Sequence, residues 1–115
     1  FLGVTFKANT DDMRDSSSLI MIPALAKKGA LIKYFDPTGY KTDFKKIKNV
    51  FYESTIKKSL EESDLVILHT EWNDFKSLNF KNLVKGKKFI IYDLRNIYSP
   101  TKIKSQGFKY FSVGR

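Results

Sequence analysis

Two cations bracket a short polar stretch near the start of this 115-residue chain: Lys7 and Arg14, in Phe6-Lys7-Ala8-Asn9-Thr10-Asp11-Asp12-Met13-Arg14-Asp15-Ser16-Ser17-Ser18. Lysine meets a phosphate as a point charge and arginine as a planar fork, so the chemistry on offer is the gripping of an anion. An apolar run at 1–6 precedes the stretch, and an apolar-periodic segment beginning at Leu19 follows it. Strand, polar loop and helix mouth in that order describe the ligand-binding end of an open α/β sheet, where the first N–H groups of a helix attract anions. A further cation, Arg95, follows the apolar run 89–92 and is expected at the same end of another strand.

Other chemistries fit less well. Asp11 and Asp12 are adjacent carboxylates, a pattern open to acid/base or metal work, but such aspartates more often turn a loop and bond its backbone. A phosphoacceptor site would need an aspartate where the chain has Glu53. His69 is the only histidine and ends an apolar run with no partners at ligand spacing, so it reads as structural and no metal site is expected. Trp72 and Phe75 read as packing over the sheet end. Arg14 has a competing role, bracing the loop by pairing with Asp11, Asp12 or Asp15, and Arg95 could pair with Asp93.

The elements that must position these residues alternate along the chain. Strands are expected at 1–6, 31–35, 50–52, 65–68, 89–92 and 108–111. The runs 65–68 and 89–92 are apolar enough to be buried on both faces. Helices are expected from Leu19 to a stop at Gly29, from a cap at Ser54 or Thr55, around Phe75, at 80–83, and from Ser99-Pro100 to Gly107, with one helical turn at 44–47. One of Ser16, Ser17 and Ser18 should cap the first helix, Pro23 should kink it, and Gly3 should admit a close approach to its backbone. The acidic end of the second helix, Glu61-Glu62, opposes the helix dipole. Alternation of this kind predicts an α/β, Rossmann-like three-layer domain, a mostly parallel sheet of five to six strands with helices on both faces. Lys7, Asp36, Thr70 to Trp72 and Asp93 to Arg95 should then gather along one edge.

Composition narrows the class. An apolar content of 42% with 15% aromatics belongs to a packed domain, and no run approaches a membrane span. The formal charge of +9 is carried almost wholly by scattered lysines, which read as a solvated surface rather than a nucleic-acid face. There is no cysteine, hence no disulfide, no thiolate metal site and no cysteine nucleophile, and a reducing, cytoplasmic setting is expected. The chain opens inside an apolar run, which we read as the C-terminal fragment of a longer protein comprising one domain, residues 1–115.

The stretch from Phe6 to Ser16 resembles the opening signature of the C-terminal, UDP-binding domain of the UDP-glucose/GDP-mannose dehydrogenases. The resemblance continues through Ile22-Pro23-Ala24-Leu25, Lys28-Gly29-Ala30, Tyr34 with Asp36-Pro37, Thr70-Glu71-Trp72 and Asp93 to Tyr98, and closes on Gly107-Phe108 and Gly114-Arg115. Thr70-Glu71-Trp72 is most similar to the UDP-glucose 6-dehydrogenase branch. The resemblance implies a share in the four-electron oxidation of UDP-glucose to UDP-glucuronate with two NAD. It also implies an N-terminal NAD-binding domain, a central helical region and a homodimer, with the catalytic cysteine lying before the portion seen here. By the same resemblance Phe6, Lys7 and Arg95 contact the UDP-sugar and Arg14 reaches NAD across the interdomain cleft; no catalytic residue falls in this chain. Ala8 and Ser17 stand where proline is frequent in the family and Leu94 where glycine is. The alternatives are the same domain of a UDP-N-acetylmannosamine or GDP-mannose dehydrogenase, or a free-standing basic binding or oligomerisation module.

Overall fold

In the computed structural model, which describes residues 1–114 and leaves Arg115 outside the described residues, the opening apolar run is not the strand its residues suggest. Leu2 alone bridges in parallel to Phe35 on one side and Leu68 on the other. Backbone bonds from Leu2 N to Ile67 O (2.9 Å), Gly3 N to Phe35 O (2.8 Å) and His69 N to Leu2 O (3.0 Å) hold it there. Pairing ends at Val4 because side chains take over its backbone. The Asp36 carboxylate accepts the Val4 N–H (2.8 Å), and the Ser16 and Ser18 hydroxyls both donate to the Val4 carbonyl at 2.6 Å. Backbone groups satisfied in this way need no ladder partner.

On one side of Leu2, β1 (Ile32–Tyr34) pairs in parallel with β2 (Val50–Tyr52). On the other side, β3 (Leu65–Leu68), β4 (Ile90–Asp93) and β5 (Lys109–Ser112) pair in parallel in that order. The expected single sheet of five to six strands is therefore a two-stranded and a three-stranded sheet stitched together through Leu2. The helices are α1 (Ser18–Lys27), α2 (Ile56–Leu60), α3 (Asn73–Lys76), α4 (Phe80–Leu83) and α5 (Pro100–Ser105), with a 3₁₀ turn at Thr42–Phe44 rather than at 44–47. One core packs Leu2, Leu68, Ile91 and Tyr110 against Leu60, Phe75, Phe80 and Ile103; the other packs Val4, Ile32 and Tyr34 against Ile22 and Phe44. Helices thus lie on both faces of parallel strands, the three-layer α/β architecture that the alternation demanded.

Local chemistry explains the ends of the elements. Gly29 stops α1 in a left-handed conformation (φ +98°), with Ala30 N donating to Leu25 O. Thr55, Asn79 and Ser99 cap α2, α4 and α5, each accepting a backbone N–H three residues on. The acidic end of α2 is supported from outside: the Lys33 ammonium donates to the carbonyls of Lys58 (2.9 Å) and Glu61, bringing a cation to the helix C-terminus. Of the three serines expected to cap α1, Ser17 does not, because its hydroxyl turns away to His69, while the Ser16 oxygen accepts the N–H of Ser18, the first residue of the helix, at 3.3 Å. β4 is covered on one face only, alternating exposed and buried residues where two buried faces were expected.

Candidate functional site

Gly3 is where the first segment comes closest to β3. It adopts φ +80°, and a Cβ there would lie 2.6 Å from Thr70 Cβ, so only glycine admits this approach. The approach lets the strand-end loops bond to one another. The Asp36 carboxylate, buried after β1, accepts the N–H groups of Val4 (2.8 Å), Thr5 (3.4 Å) and Thr38 (2.9 Å) and the Thr38 hydroxyl (2.6 Å). The Thr70 hydroxyl, after β3, donates to the Thr5 carbonyl (3.0 Å).

That donation fixes the histidine tautomer. With its proton committed to Thr5, the Thr70 oxygen accepts from His69 Nδ1 (3.0 Å), which leaves Nε2 to accept the Ser17 hydroxyl (2.8 Å). Burial first, then the charge of Arg95, push the His69 pKa down to about 4 against the opposing Asp36, so the imidazole is neutral at pH 7. His69 is the satisfied structural group that its lone position suggested.

Arg95 joins the β3 and β4 loops to the first loop. Its Nε donates to the His69 carbonyl (2.8 Å) and its Nη2 to the Phe6 carbonyl (3.3 Å), while Glu71 Oε2 lies 3.3 Å from Nε. These two hydrogen bonds use two of the five N–H donors of a guanidinium. The Asp93 carboxylate does not pair with the Arg95 side chain. It is buried and accepts the backbone N–H groups of Arg95 (3.0 Å) and Tyr98 (3.0 Å) and the Tyr110 hydroxyl (2.7 Å), which holds the Arg95 loop from beneath.

Phe6 is 46% exposed and its N–H donates to the Asp12 carbonyl (3.0 Å), closing the loop on itself. Lys7 is exposed, its carbonyl accepts the Thr5 hydroxyl (3.0 Å), and its ammonium has no hydrogen bond or ion pair among the described residues. Arg14 takes the bracing role. Nε and Nη2 form a two-point fork with the Asp12 carboxylate at 3.1 and 3.0 Å, and the side chain is 88% exposed. The fork, followed by the Arg14 backbone N–H, holds the Asp12 carboxyl below the usual carboxylate range, and Lys7 adds to the same effect. The structure therefore brings Phe6, Lys7 and Arg95 to one edge and sets Arg14 on the far limb of the same loop. Two members of this constellation were not singled out from the sequence: Glu71 as the partner of Arg95, and Ser17 as the partner of His69. Nothing local signals either pairing, since both cross long stretches of chain.

Trp72 is buried over the sheet end, as expected, but its indole N–H has no hydrogen-bond partner among the described residues. Two cavities lie away from this edge, one of about 460 Å³ between α2 and α4 and one of about 400 Å³ at the amino ends of β1 and β3. Among the described residues no group of three or more His, Cys, Asp or Glu could hold a metal ion, and no helix is long and apolar enough to cross a membrane.

This geometry has relatives. Residues 1–100 match the family described as UDP-glucose/GDP-mannose dehydrogenase family, UDP binding domain. The chain is 39% identical to the UDP-glucose 6-dehydrogenase of Rhizobium meliloti, over 99% of this chain and 26% of that protein. It is also 39% identical to the UDP-glucose 6-dehydrogenase of Rickettsia prowazekii, over 98% of this chain and 27% of that protein. Among solved structures, a UDP-D-ManNAc dehydrogenase from Pyrococcus horikoshii superposes with a TM-score of 0.77 at 26% identity, over 99% of this chain and 24% of that one. An NDP-N-acetyl-D-galactosaminuronic acid dehydrogenase from Methanosarcina mazei Go1 shares the fold with a TM-score of 0.82 at 24% identity, over 99% of this chain and 24% of that one. The chain spans about a quarter of the length of the curated relatives it matches. Parallel strands with helices on both faces, a loop signature folded at their carboxyl edge and a family match over residues 1–100 agree, and the chain belongs to the UDP-glucose/GDP-mannose dehydrogenase family, as its UDP-binding domain.

Proposed function

We propose that this chain is the C-terminal domain of a longer, NAD-dependent UDP-glucose 6-dehydrogenase, and that it holds the UDP-sugar while groups elsewhere in the enzyme carry out the oxidation. The observation that carries this reading is the Arg95 guanidinium tied to the Phe6 carbonyl, one residue before Lys7, whose ammonium has no hydrogen bond or ion pair among the described residues. Both residues belong to loops at the carboxyl edge of parallel strands, the usual place for a nucleotide in such sheets. Lys7 meets the diphosphate as a mobile point charge, Arg95 presents the N–H groups it does not spend on His69 and Phe6, and Phe6 offers an exposed ring to the ligand. Their contribution is positioning and charge neutralisation of a substrate whose reacting carbon lies elsewhere. The chain has no cysteine, so any covalent step on a thiol belongs to the rest of the enzyme.

NAD, when bound, supplies the hydride acceptor. Of this chain's residues Arg14 fits a contact with it: the inner edge of its guanidinium is spent on Asp12 and the rest faces solvent, ready for an anion presented by another domain. The enzyme is a homodimer on this reading, and the names of the curated relatives favour UDP-glucose over an N-acetylated sugar. Lys7→Ala in the complete enzyme tests the assignment. Losing one charge-assisted phosphate bond, about 1.5–3 kcal/mol, raises KM for UDP-glucose by about 10- to 150-fold with the fold intact. Unchanged kinetics would remove Lys7 from the site, and product analysis with UDP-N-acetylmannosamine as the competing substrate decides the sugar.

A further inference from the structure

One face of the three-stranded half of the sheet is bare at the start of β3 and along β4 and β5, although Ile67, on the same face by register, is buried. Ile91, Asp93 and Tyr110 turn into the core, while Ile90 (36% exposed), Tyr92 (41%) and Phe111 (52%) turn the other way, where Leu65 (46%) joins them. The strand register makes these one patch: Leu65 pairs with Ile90 and Tyr92 with Phe111, whose rings stack with centroids 6.3 Å apart. Leu2, Phe35 and Leu68, aligned across the sheet, belong to the core on the other side, whereas Ile32 and Tyr34 pack with Ile22 of α1. The bare patch therefore continues the face that α1 covers over β1, and α1 is half of an outer layer whose other half is missing. Parallel sheets are buried on both faces, and a contiguous apolar patch on a sheet marks an interaction site.

We propose that an amphipathic helix from the part of the enzyme outside these 115 residues lies on the Leu65, Ile90, Tyr92 and Phe111 face beside α1. The proposal rests on the reading of this chain as one domain of a longer dehydrogenase. The chain spans 26% of its Rhizobium relative, so ample polypeptide exists to supply the cover. A helix suits the position because it satisfies its own backbone over an apolar surface that has no hydrogen-bonding groups to lend. Lys109, exposed and paired with Ile90 in register, asks for an acidic residue on the flank of that helix. The same strand, β4, leads into Arg95, so a helix seated here ties the cationic edge to the rest of the enzyme.

A photoreactive benzoylphenylalanine in place of Phe111, in the complete enzyme, tests this by mass-spectrometric identification of the linked peptide. A link to a helical peptide outside these 115 residues is expected. A link to the same face of a second copy, or no link at all, overturns the proposal. Phe111→Asp gives an independent reading: Tm should fall by at least about 5 °C in the complete enzyme, where the ring is buried. In the 115-residue chain, where the ring is half-exposed and gives up little beyond its stacking on Tyr92, the fall should stay within about 2–4 °C. Equal shifts in both overturn it. A calorimetric titration of the unmodified chain with UDP is run alongside, so failure of the nucleotide assignment is seen separately from failure of the covering helix.

Discussion

Replacing Gly3 by alanine tests whether the edge that carries the site depends on the close approach of the first segment to β3. The backbone there has φ +80°, and an added Cβ would lie 2.6 Å from Thr70 Cβ, 2.9 Å from Thr70 Oγ1 and 3.2 Å from a ring carbon of Phe75. Two costs follow. Holding an alanine in a left-handed conformation costs about 1–2 kcal/mol. Relieving the contact means moving the stem of a side chain at the end of a buried strand, an overpacking cost of about 1–3 kcal/mol. The sum is about 2–5 kcal/mol, a large share of the ~5–15 kcal/mol that holds a typical domain folded. Displacing Thr70 also weakens its bonds to the Thr5 carbonyl and to His69, so the loss extends to the loops that frame the site. Gly29→Ala is the internal control: it too has positive φ (+98°), but nothing lies within 4 Å of its Cβ, so it bears the first cost alone. Urea denaturation followed by circular dichroism compares the two variants, with Gly3→Ala expected to lose about 1–3 kcal/mol more than Gly29→Ala. Equal losses would refute the argument that this approach organises the carboxyl edge.

Arg95→Lys in the complete enzyme should not rescue what Arg95→Ala loses: a point charge cannot donate to His69 and Phe6 together, and KM for the UDP-sugar should rise by about tenfold or more in both variants. Full activity of Arg95→Lys would reduce Arg95 to a simple charge. Below neutral pH the chain should lose stability through His69. The unfolded imidazole takes a proton near pH 6.5 that the folded one refuses until about pH 4, so stability falls between those values by up to about 1.4 kcal/mol per pH unit and levels off below. His69→Gln should remove the slope between pH 6.5 and 4, as a series of urea titrations would register. Arg14→Ala should leave the Tm of the chain unchanged, since the fork it makes with Asp12 is exposed, while weakening NAD in the complete enzyme. A drop in Tm with NAD affinity intact would make bracing its whole role.

Much of the fold was legible because it rests on local signals. The apolar runs that became β1, β2 and β3, the caps at Thr55 and Ser99 and the stop at Gly29 stand where propensity and punctuation place them. The opening apolar run forms no strand beyond the Leu2 bridges because its fate is decided by residues far along the chain. Asp36 takes the Val4 and Thr5 N–H groups, and Ser16 and Ser18 take the Val4 carbonyl, so the side chains remove the ladder that the apolar run would have formed. The run 89–92 looked buried on both sides, yet Ile90 and Tyr92 are exposed, because the composition of a strand says that a face is apolar and not whether anything in the chain covers it.

The candidate site divides in the same way. Its residue types and order were readable at once: a polar loop with Lys7 and Arg14 between an apolar run and a helix, and Arg95 after another such run. Sequence alone determined which side chains stand at strand ends, because that depends on periodicity within a few residues. Only the tertiary structure decided who bonds to whom. Arg95 reaches Glu71, His69 and Phe6 rather than Asp93, Arg14 closes on Asp12 rather than Asp11 or Asp15, and Ser17 serves His69 rather than its own helix. Those choices depend on distances between loops that come together only when Leu2 is pinned between β1 and β3, and no local pattern encodes a distance across the fold.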